Sequence, residues 1–330
     1  TNAVWKWVGN GKRKFVFATS SASASVSTDT VNFGQKSFSH TIPSGYKKWQ
    51  QDNLPVTGKG IPDLVWIKNR DATDSHQWYD STRGPLLDLQ TDSTNTESTT
   101  NDGLQKFLAG GFQIEDNDAI NTVGESYVAW NWVSNNGTEV ANTAGSGATV
   151  ATTVQANDTA GFSICRFQGT GSTLRFAHGL SATPEWFITK RLDAGAGAAT
   201  SVYHTFNGIN KYLHFNETDA MVDSGAATSQ FTGVSSTNIT LGSNSNSNNS
   251  GSDVVAYVWR SVEGFSKFGS YTGTGNADGP FIYLGFKPAW IMVKQNNSTG
   301  GWIICDNTRS PFNPVDKLLS ANITNSESTF

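Results

Sequence analysis

The sequence predicts an all-β protein built of tandem β-sandwich repeat domains of the jelly-roll or lectin-like type. Its composition favours strands joined by tight turns, because aromatic residues reach 12% and the chain contains 33 Gly. Aromatic and β-branched residues suit a pleated surface, and Gly, Asn and Asp suit turns. Charged residues make up 15% of the chain, against about 25% in ordinary soluble domains. The third observation is internal repetition, since several short apolar segments recur along the chain.

Three segments share one pattern: a Pro, an apolar block, and a Lys six positions after the Pro. They are Pro62–Lys68 (PDLVWIK), Pro184–Lys190 (PEWFITK) and Pro288–Lys294 (PAWIMVK). A Pro is tolerated at the first position of a strand, and a nearly continuous apolar block is typical of a strand that is covered on both faces. Each segment therefore predicts a buried strand.

Two further kinds of segment recur next to these strands. Gly161–Gly171 (GFSICRFQGTG) matches Gly264–Gly275 (GFSKFGSYTGTG), and each predicts a strand that runs into a glycine-rich turn. Tyr127–Trp132 (YVAWNW) matches Val254–Trp259 (VVAYVW), and the period-2 alternation predicts a strand that closes the repeat. A related WKWV occurs at Trp5–Val8.

A polar motif also recurs downstream of the buried strand. Tyr79–Pro85 (YDSTRGP) matches Cys305–Pro311 (CDNTRSP), and the Asp lies at the same distance from the strand Pro in both. Further on, Thr94–Thr99 (TNTEST) matches Thr324–Thr329 (TNSEST). The second repeat departs from this pattern, because it has VYHTFNG at Val202–Gly208 and lacks the Asp and the Arg.

These motifs predict five segments in the chain. The first 60 residues form a separate segment, and β repeats follow at 61–133, 154–262 and 263–330, with a polar linker at 134–153. The third repeat is incomplete, because it stops before a counterpart of the closing strand. We therefore expect the intact protein to continue past Phe330 and to begin before Thr1.

Some stretches depart from the strand pattern. One short helix is predicted at Asp102–Ala109, since the Gly pair that follows is a typical helix stop. A long surface loop is predicted at Gly242–Asp253, which has too few apolar groups to offset the entropy of ordering. Cys165 and Cys305 lie in apolar runs and are predicted to be buried free thiols rather than a disulfide.

The Asp–Arg motif admits two interpretations, and so do the aromatic residues near turns. Arg83 and Arg309 could offer their planar fork to a carboxylate or sugar ligand. Alternatively, the Asp caps a turn, the Arg pairs with it and the Pro fixes the exit. The aromatic residues are either core residues or exposed faces on which sugars stack. These aromatic candidates are Trp78, Tyr79, Tyr271 and Trp302.

The sequence contains no recognisable catalytic motif. It has neither a G-x-S-x-G elbow nor a phosphate-binding G-x-x-x-x-G-K-[ST] loop, and no His pair has metal-ligand spacing. We therefore predict no enzymatic activity, no cofactor and no metal; Asp116 and Asp118 are interpreted as turn residues rather than calcium ligands. The basic run at Gly11–Lys14 is too short for nucleic-acid binding, and no segment is apolar over the length of a membrane span.

The quoted motifs carry a family resemblance. Val31–Pro55 (VNFGQKSFSHTIPSGYKKWQQDNLP) resembles the closing strand and exit of SPRY-like domains in marine phage structural proteins. The WIKNRD and WYDSTRGP motifs, and the block from GFSKFGSYTGTG to PAWIMVK, are similar to uncharacterised β repeat domains of predicted cyanophage and pelagiphage tail-fibre or virion proteins. The resemblance implies that residues 1–60 are the C-terminal part of a SPRY-like domain, and it implies no catalytic residue.

The expected function is that of a phage virion structural protein, either a tail fibre or a surface-decorating fibre that presents β modules for host attachment. Its expected location is the virion or the extracellular space. Its expected partners are other virion proteins, further copies of the chain in a homotrimer, and a host-surface glycan. Two alternatives stay open: a lectin-like adhesin of a marine bacterium and, with less support, a tailspike polysaccharide depolymerase.

Overall fold

The computed structural model divides the chain into two units, Thr1–Lys59 and Gly60–Phe330. It describes residues 60–142, 147–193, 198–225 and 229–329, together with positions 41 and 44. The expected SPRY-like segment at 1–60 thus lies outside the described residues, apart from Gly60 and those two positions. The strands and helices of the described residues belong to the second unit.

The first repeat is a five-stranded antiparallel sheet with an additional hairpin. Its elements are β1 (Leu64–Asn69), β2 (Gln77–Asp80), β3 (Leu87–Gln90), β4 (Ser98–Thr99), β5 (Leu104–Leu108), β6 (Gly111–Ile114), helix α1 (Asp118–Asn121) and β7 (Tyr127–Trp132). The strand order of the sheet is β4-β3-β2-β1-β7, and β5 pairs with β6.

The second repeat packs a three-stranded sheet against an eight-stranded sheet. Its elements are β8 (Val140–Asn142), β9 (Thr152–Asn157), β10 (Phe162–Gln168), β11 (Leu174–Ala177), β12 (Trp186–Arg191), β13 (Ser201–His204), β14 (Lys211–His214), β15 (Val222–Asp223), β16 (Phe231–Val234), β17 (Asn238–Leu241), helix α2 (Ser245–Asn248) and β18 (Asp253–Trp259). The strand orders are β15-β14-β13-β12-β18-β10-β9-β8 and β11-β17-β16.

The third repeat is a four-stranded sheet with the order β19-β20-β21-β22. Its strands are β19 (Trp290–Lys294), β20 (Trp302–Asp306), β21 (Lys317–Ser320) and β22 (Ser328–Thr329). The Pro-to-Lys segments therefore form β1, β12 and β19, as the repeat pattern predicts.

The all-β class predicted from the sequence is confirmed, and its sandwich arises from alternation along each strand. In β12, Trp186 and Ile188 belong to one hydrophobic cluster, whereas Phe187 between them belongs to another. Successive side chains of a strand point to opposite faces of the sheet, so a continuous apolar block fills a core on both sides. The third copy differs, because Ile291 and Val293 in β19 are exposed.

The three repeats pack around one central hydrophobic cluster. Trp66, Trp186 and Ile304 come from the first, second and third repeats and all belong to it. Aromatic rings also meet across repeat boundaries: Trp132 and Trp290 lie edge to face with their centroids 5.9 Å apart. The repeats are therefore parts of one compact unit with a shared core.

Backbone hydrogen bonds join the repeats in a closed ring. In each bond the donor directly precedes the outermost strand of one sheet, and the acceptor is the eighth residue after the Pro of the next repeat. The bonds run from Glu97 to Leu192, from Met221 to Asn296 and from Glu327 to Arg70, with N···O distances of 2.9, 2.8 and 2.8 Å. The first repeat thus contacts the second, the second contacts the third, and the third contacts the first.

The helix predicted at Asp102–Ala109 is wrong, because this stretch forms a hairpin. Leu104–Leu108 is β5, and it pairs with β6 in a register that sets Phe107 opposite Phe112. Both rings pack against a hydrophobic cluster of the first repeat. Gly110, which suggested a helix stop, has φ +80° and forms the hairpin turn.

The predicted surface loop at Gly242–Asp253 is also different in the structure. It contains helix α2, in which Ser247 and Asn248 are fully buried. The side-chain amide of Asn248 donates to the carbonyls of Ser172 and Gly242, both at 2.6 Å. Side-chain hydrogen bonds therefore order this stretch without apolar burial.

Part of the predicted polar linker at 134–153 belongs to the second-repeat sheet. Val140–Asn142 forms β8 and pairs with β9. The backbone N–H of Ser134 donates to Asp63 Oδ2 at 2.6 Å, which attaches the start of this segment to the first repeat.

The lysines at the ends of β12 and β19 join neighbouring repeats. Lys190 Nζ donates to the Ser93 carbonyl of the first repeat at 2.9 Å and to Thr200 Oγ1 at 3.2 Å. Lys294 Nζ donates to the Thr218 carbonyl of the second repeat at 3.1 Å. Lys190 is buried, and burial lowers its pKa to about 8. The hydrogen bonds of Lys294, in contrast, are exposed to solvent.

Replacing Lys190 with Met is expected to lower the free energy of unfolding by about 1–3 kcal/mol, because the Ser93 carbonyl and the Thr200 hydroxyl lose their donor. Urea unfolding measures the change. Lys294→Met is the matched control at the equivalent position, and its cost is expected to stay below about 1 kcal/mol because water replaces the lost donor. Equal costs at the two positions would contradict the prediction.

Candidate functional site

A buried Asp–Arg pair closes the turn that follows β2. Arg83 Nε donates to Asp80 Oδ2, and Arg83 Nη2 donates to the Trp78 carbonyl at 3.0 Å. The other carboxylate oxygen, Asp80 Oδ1, accepts the backbone N–H groups of Thr82 and Arg83 at 3.0 and 2.9 Å. Both charged side chains are fully buried. These contacts are those of a capped turn, the second of the two interpretations of the motif.

Two side chains from outside the turn complete this network. Glu97 Oε2 accepts from Arg83 Nη1 at 3.0 Å, and the Tyr257 hydroxyl donates to Asp80 Oδ2 at 2.6 Å. Tyr257 lies on β18, so the network crosses from the first repeat to the second. Burial, together with the charge of Asp80, raises the pKa of Tyr257 well above its usual value. The phenol therefore stays protonated and donates.

The third repeat contains the same network. Arg309 Nε donates to Asp306 Oδ2 at 2.6 Å, and Arg309 Nη1 donates to Glu327 Oε2 at 3.2 Å. The aromatic donor again comes from the next repeat in the ring, since Trp130 Nε1 donates to Asp306 Oδ2 at 3.2 Å. Burial opposes ionisation, but the hydrogen bonds from Arg309 hold the pKa of Asp306 below its usual value.

The second repeat has His204 at this position. Trp186 pairs with His204 in the same register in which Leu64 pairs with Asp80. His204 Nδ1 accepts the backbone N–H of Phe206 at 3.1 Å, and burial lowers the pKa of His204. The turns of the first and third repeats therefore have a charged network, whereas the turn of the second repeat has a neutral imidazole.

Most of the ligand candidates predicted from the sequence lie in the interior. The buried candidates are Trp78, Tyr79, Arg83, Trp302 and Arg309. A ligand in solvent does not reach them, because the three aromatic rings belong to the core and the two guanidinium groups are held in the networks. Tyr271 is 52% exposed and is the one of the six that a ligand could contact.

The sequence reasoning missed the side chains that connect the repeats. Glu97 and Glu327 complete the networks, and Tyr257 and Trp130 donate across the boundaries. A signal for the two glutamates existed, because TNTEST and TNSEST follow the two Asp–Arg motifs. The aromatic donors had no such signal, because Tyr and Trp on an apolar strand look like ordinary core residues.

The third repeat exposes several large apolar side chains, which the sequence reasoning did not predict. The most exposed of them in the stretch before β19 are Phe281 at 89% and Tyr283 at 73%. Within β19, Ile291 and Val293 are 42% and 36% exposed. Exposed apolar side chains that cluster on a surface often mark an interaction site, so this part of the third repeat is a candidate interaction surface.

Both cysteines are free, as predicted, and Cys165 is buried; the predicted burial of Cys305 is wrong, because this residue is half-buried. Burial raises the pKa of the Cys165 thiol to about 12, so it is protonated at neutral pH and a poor nucleophile.

One group of possible metal ligands occurs among the described residues. Atoms of His214, Glu217 and Asp219 lie within 4.8 Å of one another. His214 Nδ1 and Glu217 Oε2 are 2.7 Å apart in a hydrogen bond. This bond explains why two of the three side chains lie close together without a metal. No helix in the described ranges is long and apolar enough to cross a membrane.

The fold defines an all-β domain whose three repeats are joined by backbone hydrogen bonds and, at two of the three junctions, by buried networks of charged and aromatic groups. Residues 36–330 match the family described as a domain of unknown function, DUF7483. The chain belongs to this family. No curated protein and no solved structure matches it.

Proposed function

We propose that the protein is a non-enzymatic structural module of a phage virion fibre, which presents its β repeats for attachment to a host surface. The observation that carries the proposal is the ring of repeats, in which buried networks join the first repeat to the second and the third repeat to the first. The Asp–Arg pairs, which were the polar candidates for ligand binding, are instead hydrogen-bonded within these junctions. A chain that uses its charged groups in this way is suited to building and presenting a surface.

The phage setting of the proposal is supported by the resemblance of the repeat motifs to those of marine phage fibre and virion proteins. The low content of charged residues, 15%, suits an extracellular fibre with an uncharged polar surface. The proposed partners are other virion proteins, further copies of this chain and a host-surface glycan.

Immunogold labelling tests this function on particles of a phage whose genome encodes the chain. An antibody raised against the purified protein is expected to label fibres in negative-stain micrographs, and antibody pre-absorbed with the protein is the control. Particles without label would overturn the virion assignment. Release of reducing ends from host polysaccharide by the purified protein would overturn the non-enzymatic assignment and favour a depolymerase.

A further inference from the structure

Matching sequence motifs have different structures in the second and third repeats. Gly161–Gly171 (GFSICRFQGTG) contains the seven-residue strand β10. Its counterpart Gly264–Gly275 (GFSKFGSYTGTG) contains no strand and forms one isolated bridge, between Val262 and Ser266. The two segments thus have different structures although their ends match in sequence.

In the part of the chain that the structure describes, the two segments differ in their neighbouring strand. In the second repeat β10 does not pair with β12, because the closing strand β18 lies between them and pairs with both. In the third repeat β19 is the counterpart of β12 and lies at the end of its sheet. Among the described residues, no strand pairs with the outer edge of β19 or with residues 265–271. Within the described ranges, both segments therefore lack the same neighbouring strand.

In the described residues, the inward face of β19 is less covered than that of β12. Trp186 and Ile188 of β12 are buried, whereas Trp290 and Met292 at the same positions of β19 are only half-buried. Trp290 and Phe268 still border the central cluster, so the vacant strand position lies beside an existing core.

The other two repeats show which side chains fill this position. The partners of the β1 and β12 residues that correspond to Trp290, Met292 and Lys294 are known from the strand registers. They are Trp132, Trp130 and Val128 on β7, and Trp259, Tyr257 and Val255 on β18. In the order of the added strand, the inward-facing pattern is Val, any residue, Trp or Tyr, any residue, Trp.

We propose that β19 and residues 265–271 form a docking site for one extended polypeptide strand with this pattern, added antiparallel to β19. Its backbone hydrogen-bonds to both segments, and its two aromatic side chains pack against the central cluster. This mode of recognition combines main-chain pairing with side-chain specificity at alternate positions. The inference goes beyond the proposed function and holds whether or not the protein belongs to a virion.

A peptide with the sequence SYVAWNWV, copied from Ser126–Val133, tests the site. Hydrogen–deuterium exchange of the full chain with saturating peptide is expected to show exchange slowed by about tenfold or more at the amides of Trp290–Lys294 and residues 265–271. The control peptide SYVAWWNV has the same composition but places its two Trp residues on opposite faces of the strand in every register. It is expected to leave these amides unchanged.

The chain contains a related sequence, WKWV at Trp5–Val8, which could compete with the peptide. The measurement is therefore repeated on the full chain with Trp5→Ser and Trp7→Ser, and protection in either chain supports the proposal. Equal protection by both peptides, or no protection in either chain, would overturn it. Protection that appears without peptide and increases with protein concentration would also overturn it, because a second copy would then cover the edge.

Discussion

Replacing Asp80 with Asn is expected to lower the free energy of unfolding by about 3–5 kcal/mol. The substitution keeps the shape of the side chain and leaves an acceptor for the backbone N–H groups of Thr82 and Arg83. It removes the charge that neutralises Arg83, whose side chain is fully buried. The remaining partner, Glu97, is 22% exposed and lies on the other side of the guanidinium. A buried cation is therefore left undercompensated, and the Tyr257 hydroxyl loses a charged acceptor.

Urea unfolding followed by tryptophan fluorescence measures this cost, since Trp66 and Trp78 lie in the shared core. The matched control is Asp223→Asn, which breaks an exposed ion pair between Lys211 Nζ and Asp223 Oδ2 that are 3.7 Å apart. Exposed pairs of this kind contribute about 0–1 kcal/mol. The equivalent substitution Asp306→Asn should change stability in the same direction as Asp80→Asn. If Asp80→Asn cost no more than Asp223→Asn, the network would not stabilise the junction between repeats.

Lowering the pH from 6.5 towards 4 is expected to destabilise the protein through histidines that are buried in the neutral form. His76 joins the first repeat to the third: Trp66 Nε1 donates to His76 Nδ1 at 2.9 Å, and His76 Nε2 lies 3.1 Å from the Ser320 carbonyl. The neutral ring with its proton on Nε2 satisfies both contacts, whereas a protonated ring would confront the Trp66 donor. Burial, reinforced by the charge of Lys68, lowers the pKa of His76 to about 3.

The sign of the effect follows from this depressed pKa. Above pH 6.5 the imidazole is neutral in both states, and its full contribution to stability is present. As the pH falls below 6.5 the unfolded chain binds a proton that the folded protein excludes, so stability falls until the pH reaches about 3. The expected loss from His76 is about 1.4 kcal/mol for each pH unit in this window. His178, whose pKa burial lowers to about 4, adds a loss of the same sign.

Urea unfolding at pH 7.5, 6.5, 5.5 and 4.5 gives the slope of stability against pH. His76→Gln is expected to reduce that slope by about 1.4 kcal/mol per pH unit, whatever its effect on stability at pH 7.5. A slope that His76→Gln leaves unchanged would contradict the assignment. Asp306 and Glu327 add a further loss of stability at lower pH. Hydrogen bonds from arginines lower their pKa values despite burial, so the unfolded chain is protonated first as the pH falls below about 4.

The strands of the repeats could be predicted because their signal is local. The Pro-to-Lys segments have an apolar block of strand length, and the core on both faces of β12 follows from that block. Local sequence was misleading where tertiary contacts decide. Leu104–Leu108 has residues that suit a helix, but the pairing of Phe107 with Phe112 makes it a strand. Asn248 lies in a polar run typical of a loop, but its amide hydrogen bonds hold the run in place.

The junctions between repeats could be predicted only in part. The spacing of Asp80 and Arg83, and its recurrence at Asp306 and Arg309, identified the turns from sequence. The burial of these side chains depends on Tyr257 and Trp130, which reach them from neighbouring repeats. Such contacts depend on the closure of the ring, which no single motif encodes. The exposure of β19 was missed for the same reason, because its sequence resembles β12 and only its neighbours differ.

The bonds from Glu97 to Leu192, from Met221 to Asn296 and from Glu327 to Arg70 have a consequence for how this architecture can change in evolution. In a linear solenoid each added or deleted repeat alters one end, and the remaining stack keeps its geometry. Here every repeat has a neighbour on both sides, so deleting or duplicating one would alter the angle at every junction. Closure therefore couples the number of repeats to the geometry of every junction, so a change in that number requires compensating changes at all of them.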